Sequence, residues 1–161
     1  MSGYRIGLGV DAHAFGDGVP LVLGGVTFDH PRGLVGHSDG DVIAHALTDA
    51  LLGAACLGDI GSHFPSNDER YLGADSLALL ADAYALVREA GLAIVNADCV
   101  LIGEEPRIAS RRGEMRTRLA EALEVPVELI AVRATTTDRL GFTGRGEGLA
   151  AQAVALLQVL S

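Results

Sequence analysis

The chain has 161 residues, 49% of them hydrophobic, and 12 basic against 21 acidic side chains give a net charge of −9. That is enough for one domain, residues 1–161, to bury a real core, and too apolar and sparsely charged for a disordered tail. Glycines or charges interrupt every stretch long enough to span a bilayer, and the acidic surplus speaks against coating a nucleic acid. Neither a membrane nor a nucleic acid is therefore an expected partner, although arginines gathered in one pocket can still receive an anionic small molecule.

All twelve basic residues are arginine, which points to genome composition rather than function. The opening MSGYRIGLGV has neither a leader nor a transit pattern, and the short stretch before Tyr4 predicts no fused upstream domain. Cys56 and Cys99 lie far apart, without finger spacing or a disulfide framework, so a cytoplasmic setting is expected.

Residues 4–10 predict a strand running into Asp11-Ala12-His13. PLVLGGVTFD, residues 20–29, predicts a hairpin around Gly24-Gly25. Ser38 or Asp39 can cap a helix over about 40–56, with Val42, Ile43, Ala46, Leu47, Ala50 and Ala54 on its apolar face. The glycine- and proline-rich loop GDIGSHFPSND follows. A second helix is expected from Asp75-Ser76 to Gly91, a strand over 92–102, and a helix after Pro106 to about 124. A strand over 128–134 and a last helix from Glu147 to Leu160 complete a mixed α/β order. Ala131-Val132-Arg133-Ala134 and Val100-Leu101-Ile102 are apolar on both faces, so a sheet face without helices predicts symmetric association.

Asp11 and His13 share one face of an extended segment and can supply two metal ligands; a polar strand end is the alternative. His45 is the natural third ligand, on a stripe with Asp41 and Asp49 at i−4 and i+4. A surface histidine linked to two aspartates is the plainer reading. Against it stand the glycine-flanked turn Gly36-His37-Ser38-Asp39-Gly40 before the helix and the capacity of the acids to orient an imidazole. Three Asp and His ligands with one open position suit a catalytic zinc-type ion.

Thr135-Thr136-Thr137-Asp138 offers hydroxyls and amides for phosphate oxygens and a carboxylate for a harder cation such as magnesium, or is simply a threonine-rich strand end. Gly141-Phe142-Thr143-Gly144-Arg145-Gly146-Glu147-Gly148 permits close backbone approach, with Arg145 as a phosphate fork, but lacks the P-loop spacing. Asp59 beside the Gly61 amide can read a diol or merely hold the turn. His30 is expected to be inert, and both cysteines to pack in the core.

Asp11-x-His13, GHSDGDVIAHALTDALLGAACLGDIG over 36–61, His63-Phe64-Pro65, ATTTD at 134–138 and LGFTGRGEG at 140–148 stand in that order. Together they resemble the 2-C-methyl-D-erythritol 2,4-cyclodiphosphate synthases of the non-mevalonate isoprenoid pathway, from Arg5 to Leu157.

The resemblance implies an α/β (α+β) fold: a single mixed β-sheet with helices on one face, packed around a threefold axis in a homotrimer with intersubunit active sites. It implies conversion of 4-diphosphocytidyl-2-C-methyl-D-erythritol 2-phosphate to the cyclodiphosphate with release of CMP. Asp11, His13 and His45 would hold Zn2+, and Asp138 would contact a substrate-bridging Mg2+ or Mn2+. His37 and Thr136 would stabilise the transition state. His37 and Ser38 would meet the attacking phosphate, and Thr135 and Thr136 the diphosphate, with Thr137 also at the substrate. Asp59, Ile60 and Gly61 would grip the ribose, with Asp49, Phe64 and Asp68 nearby. Gly103, Pro106, Arg107 and Ala109 would read cytosine, and Phe142 and Arg145 would line an axial cavity for an isoprenoid diphosphate.

Some positions depart from the family pattern. Asp138 replaces the usual Glu, Arg133 and Arg107 stand where lysine is frequent, Ser66 replaces an acid with Asp68 retained, and Glu104-Glu105 is unusually acidic. The competing readings are a metal-dependent phosphohydrolase, in which water attacks, and a non-catalytic trimeric isoprenoid-diphosphate binder.

Overall fold

A computed structural model describes residues 3–161. β1 (Tyr4–Asp17) runs on well past the predicted strand and carries Asp11 and His13 within it. β2 (Leu21–Leu23) and β3 (Val26–Phe28) form the expected hairpin, and β4 (Arg32–Leu34) lies along the end of β1. α1 (Val42–Ala54), the short α2 (Ile60–His63) and α3 (Ser76–Glu89) follow, then β5 (Leu92–Ile102), α4 (Arg112–Leu123), β6 (Ile130–Thr135), the one-turn α5 (Gly141–Gly144) and β7 (Gly148–Val159). The main sheet has the order β4-β1-β7-β5-β6, antiparallel except for the parallel pair β5–β6.

The helix expected over Glu147–Leu160 is instead β7, hydrogen-bonded between β1 and β5. Its alanines and leucines favour a helix in isolation, but the segment occupies the centre of the sheet, and tertiary pairing overrides propensity. Leu149, Ala151, Ala153, Ala155 and Leu157 alternate into the core, whereas Gln152, Val154 and Gln158 do not. The helix expected to follow Pro106 directly begins only at Arg112, leaving 103–111 as a loop.

α1 lies against β1 and β7, closely enough that side chains at the crossing would not fit. A Cβ at Gly7 would overlap the Ala50 carbonyl oxygen, and one at Gly9 the Ala46 carbonyl oxygen. With Ala151, Ala153 and Ala155 alongside, the two glycines make a flat bed for the helix. The predicted cap is also corrected. Asp41, not Ser38 or Asp39, caps α1, accepting the Ala44 amide at 3.1 Å. Its fully buried carboxylate also accepts the Gly24 and Gly25 amides at 2.9 and 2.8 Å, so the stripe of Asp41, His45 and Asp49 does not form. Burial pushes this carboxyl up, against the pull of the three amides.

The helices cover one face of the sheet. On the other, Ile6, Leu8 and Val10 are 72%, 63% and 55% exposed, next to Val154 of β7. The closeness of α1 to β1 gives a direct test. Gly9→Ala should lower unfolding free energy by roughly 1–3 kcal/mol or more by overpacking. Gly53→Ala, where a Cβ meets nothing within 4 Å, should raise it by up to about 1 kcal/mol. Urea titration of both variants checks the contrast.

Candidate metal centre

Because β1 side chains alternate, Asp11 and His13 both face α1, and the packing over Gly9 brings His45 down onto them. Asp11 Oδ2 lies 2.9 Å from His13 Nε2 and 3.1 Å from His45 Nδ1. The rings meet edge to face with centroids 5.7 Å apart. Gly36 leaves room behind the His13 ring, where a Cβ would stand 3.2 Å from Cε1. Among the described residues this is the one cluster of three or more acids, histidines or cysteines whose ligand atoms converge, all within 4.8 Å.

Burial opposes ionisation of Asp11, but the hydrogen bonds and charges of His13 and His45 outweigh it and lower the carboxyl to about 2. The same carboxylate raises His13 above its ordinary 6.5, against burial. His13 Nε2 is nevertheless shielded from solvent without a properly angled hydrogen bond, despite its nearness to Asp11. One carboxylate oxygen and two imidazole nitrogens that converge, one of them the buried His13 Nε2, fit a divalent ion of zinc type.

His45 turns its other nitrogen away from the cluster, 2.7 Å from Ser76 Oγ and 3.0 Å from Ser38 Oγ. Ser76 is fully buried, and both its hydroxyl and its amide donate to Asp39. Sequence reasoning gave neither residue this place: Ser76 starts a helix 31 residues after His45, and no spacing rule links them. His37 Nε2 donates to the Asp68 carbonyl, 2.9 Å away, so the loop before α1 rests on the loop before α3. Asp68 is also gripped by Arg70, whose hydrogen bonds lower its carboxyl.

Asp49 accepts the Ile60 amide at 2.7 Å, tying the start of α2 to α1. Burial raises its carboxyl, and Asp59 and Asp11 add to the effect. Asp59 caps α2 through the Ser62 amide, Gly61 is exposed, and Phe64 packs edge-on against Tyr71. Asp49 lies one turn along α1 from His45, near enough that Asp59, Asp11 and His45 all act on its carboxyl.

The remaining candidates stand elsewhere. Along the register Asp11↔Ala151↔Leu101↔Ala134, β6 is three strand spacings from the triad, roughly 14 Å. Gly103, Pro106, Arg107, Ala109, Thr135 and Thr136 line an open cleft of about 900 Å³ that contains none of the three triad residues. Arg145 also borders it and pairs with Glu147 at 3.0 Å, while Phe142 is partly exposed. Thr137 spends its hydroxyl on Leu140 and Thr143 within its own loop. Asp138 is exposed beside the Thr136 hydroxyl. Cys99 is a core residue as expected, its thiol pushed up to about 12 by burial; Cys56 is exposed, not in the core. No helix among the described residues is long and apolar enough to cross a membrane.

Fold and triad together define a mixed α/β protein with three side chains at a helix–strand crossing that could hold a metal ion. The chain belongs to the YgbB family, whose model matches residues 4–158. It is 59% identical over 161 residues to the 2-C-methyl-D-erythritol 2,4-cyclodiphosphate synthase of Rubrobacter xylanophilus, covering 98% of this chain and 97% of that protein. It is 56% identical over 153 residues to the synthase of the same name from Edwardsiella ictaluri, covering 95% and 98%. Among solved structures, the IspF–CDP complex of Plasmodium falciparum superposes with a TM-score of 0.86 at 31% identity, covering 99% of this chain and 98% of that one. The bifunctional IspDF of Campylobacter jejuni gives 0.96 at 42%, where this chain spans 44% of the longer protein.

The pKa shifts give a test with opposite signs for the two states. In metal-free protein the stability that His13 draws from Asp11 is present below pH 6.5 and is lost as pH rises through the raised His13 value. Chelator-treated protein should therefore melt lower at pH 9 than at pH 6, and His13→Gln should remove most of that difference. Zinc-induced stabilisation should grow over the same rise, because the imidazoles must be neutral to bind. Thermal melts with and without zinc check both signs.

Proposed function

We propose that the chain is a single-domain 2-C-methyl-D-erythritol 2,4-cyclodiphosphate synthase, a phosphorus–oxygen lyase of isoprenoid precursor biosynthesis acting in the cytoplasm. The observation that carries the reading is the triad of Asp11, His13 and His45 with its unpaired buried nitrogen, in a chain closely similar to named synthases. The substrate is 4-diphosphocytidyl-2-C-methyl-D-erythritol 2-phosphate. An oxygen of its 2-phosphate attacks the β-phosphorus, the bond to the bridging oxygen breaks, and CMP leaves with that electron pair.

Such a transfer asks the protein for position and neutralised charge more than for covalent chemistry. Asp11, His13 and His45 would hold zinc, and Asp138 would contact a magnesium or manganese ion. These ions supply Lewis-acid polarisation and charge neutralisation at the diphosphate when bound. His37 and Ser38, at the turn before α1, meet the attacking phosphate. Thr135 and Thr136 take the diphosphate oxygens, and Thr137 shapes their loop. The backbone of 103–109 reads the base, while Asp59, Ile60 and Gly61 take the ribose, beside Asp49, Phe64 and Asp68.

The separation of about 14 Å across the sheet means that one copy's triad does not reach its own cleft. A homotrimer joined through the apolar sheet face would set the triad of one copy beside the cleft of its neighbour. The exposed Ile6, Leu8 and Val10 support that arrangement. Phe142 and Arg145 would then surround the axis, where an isoprenoid diphosphate can sit.

His45→Ala and Thr136→Ala should each abolish CMP release, at least 100-fold, while remaining associated. Co-refolding the two inactive variants should restore part of the activity, because mixed trimers rebuild some intact sites. Phosphorus NMR of the product separates cyclisation from hydrolysis. No recovery in the mixture would contradict a shared site.

A further inference from the structure

The hydrogen bonds behind His45 reach a residue pair that the proposed chemistry does not use. Ser76 Oγ stands 2.7 Å from His45 Nε2, and the Ser76 hydroxyl donates to Asp39 Oδ1. Asp39 Oδ1 also accepts the Asp41 amide at 3.1 Å, and Oδ2 the Ser76 amide at 3.0 Å. Ser76 is fully buried at the first position of α3, so this hydroxyl does not meet a substrate.

Proton bookkeeping gives the chain a direction. A carboxylate only accepts, and a serine has one proton to give. With that proton committed to Asp39, Ser76 Oγ faces His45 as an acceptor, which favours the hydrogen on Nε2. Ser38 Oγ, at 3.0 Å, is a second acceptor for the same proton. With Nε2 committed to the two serines, Nδ1, which faces Asp11 Oδ2 at 3.1 Å, is the nitrogen left to bind a cation that the two groups share.

We propose that Asp39 and Ser76 are positioning residues for the cation site: they fix the His45 tautomer and ring orientation so that Nδ1 is presented as a ligand. This rests on the reading of Asp11, His13 and His45 as the metal site. Outer partners of ligating histidines typically contribute roughly 10- to 100-fold to metal affinity. The arrangement also links the site to the start of α3, so the loop between α2 and α3 is held against α1 from behind the metal. Asn at position 39 would present an N–H to at least one of the three donors whichever way its amide is turned, so Asp39→Asn disturbs the chain without changing its size.

The experiment measures zinc dissociation constants by competition with a chromophoric chelator for wild type, Ser76→Ala, Ser76→Thr and Asp39→Asn. Melts of the metal-free proteins and long-range proton–nitrogen NMR spectra of the histidine rings accompany them. Ser76→Ala and Asp39→Asn should weaken zinc binding roughly 10- to 100-fold, and Ser76→Thr, which keeps a hydroxyl, should restore most of it. Affinities within twofold of wild type in both weakened variants overturn the proposal, as does Ser76→Thr binding no better than Ser76→Ala. If wild type takes up no zinc, the metal reading fails by itself, and the spectra still decide the relay. His45 Nε2 carries a proton in metal-free wild type if the proposal holds, and a bare Nε2 overturns it. Should Ser76→Ala not fold, Asp39→Asn and the wild-type spectrum carry the test.

Discussion

The contact on which the site depends is backbone against backbone: α1 resting on β1 with only Gly7 and Gly9 beneath it. His45 precedes Ala46, whose carbonyl sits over Gly9, and Asp11 and His13 follow Gly9 on the same face of β1. A methyl group at either glycine would lift the helix and part the imidazole of His45 from the other two ligands. The fully buried Asp41 secures the same helix from its N-terminus by capping it and holding the β2–β3 turn. A carboxylate that accepts three amides offsets part of its desolvation, but burial still outweighs them and holds the carboxyl at about 6.

Electrostatics at the crossing follow from the same geometry. Two imidazoles around one carboxylate hold Asp11 ionised far into acid and favour the protonated form of His13. A divalent ion replaces those protons with two positive charges in the same place, so pH and metal compete for one set of lone pairs. The buried Ser76 and half-buried Asp39 behind His45 give that ring a fixed aspect before any ion arrives.

Much of this was legible in the sequence because it rests on short-range pattern. β5 has the predicted bounds, and α3 starts and stops at the expected Asp75 cap and Gly91. Asp11 and His13 share a face because strands alternate. The family motifs identify His45 as their partner, although 32 residues separate His13 from His45. What failed depends on tertiary context. β7 is rich in alanine and leucine and reads as a helix until its place between β1 and β5 is known. Asp41 sits at helical spacing from His45, yet the turn at Gly24-Gly25 claims it. Ser76 shows no signal at all, since its role arises from packing between α1 and α3.

The central claim is a divalent ion held by Asp11, His13 and His45. Diffraction data from zinc-loaded crystals, collected on both sides of the zinc absorption edge, test it most directly. The account predicts one strong anomalous peak about 2.0–2.2 Å from Asp11 Oδ2, His13 Nε2 and His45 Nδ1. A peak elsewhere, or none at that position, would contradict it.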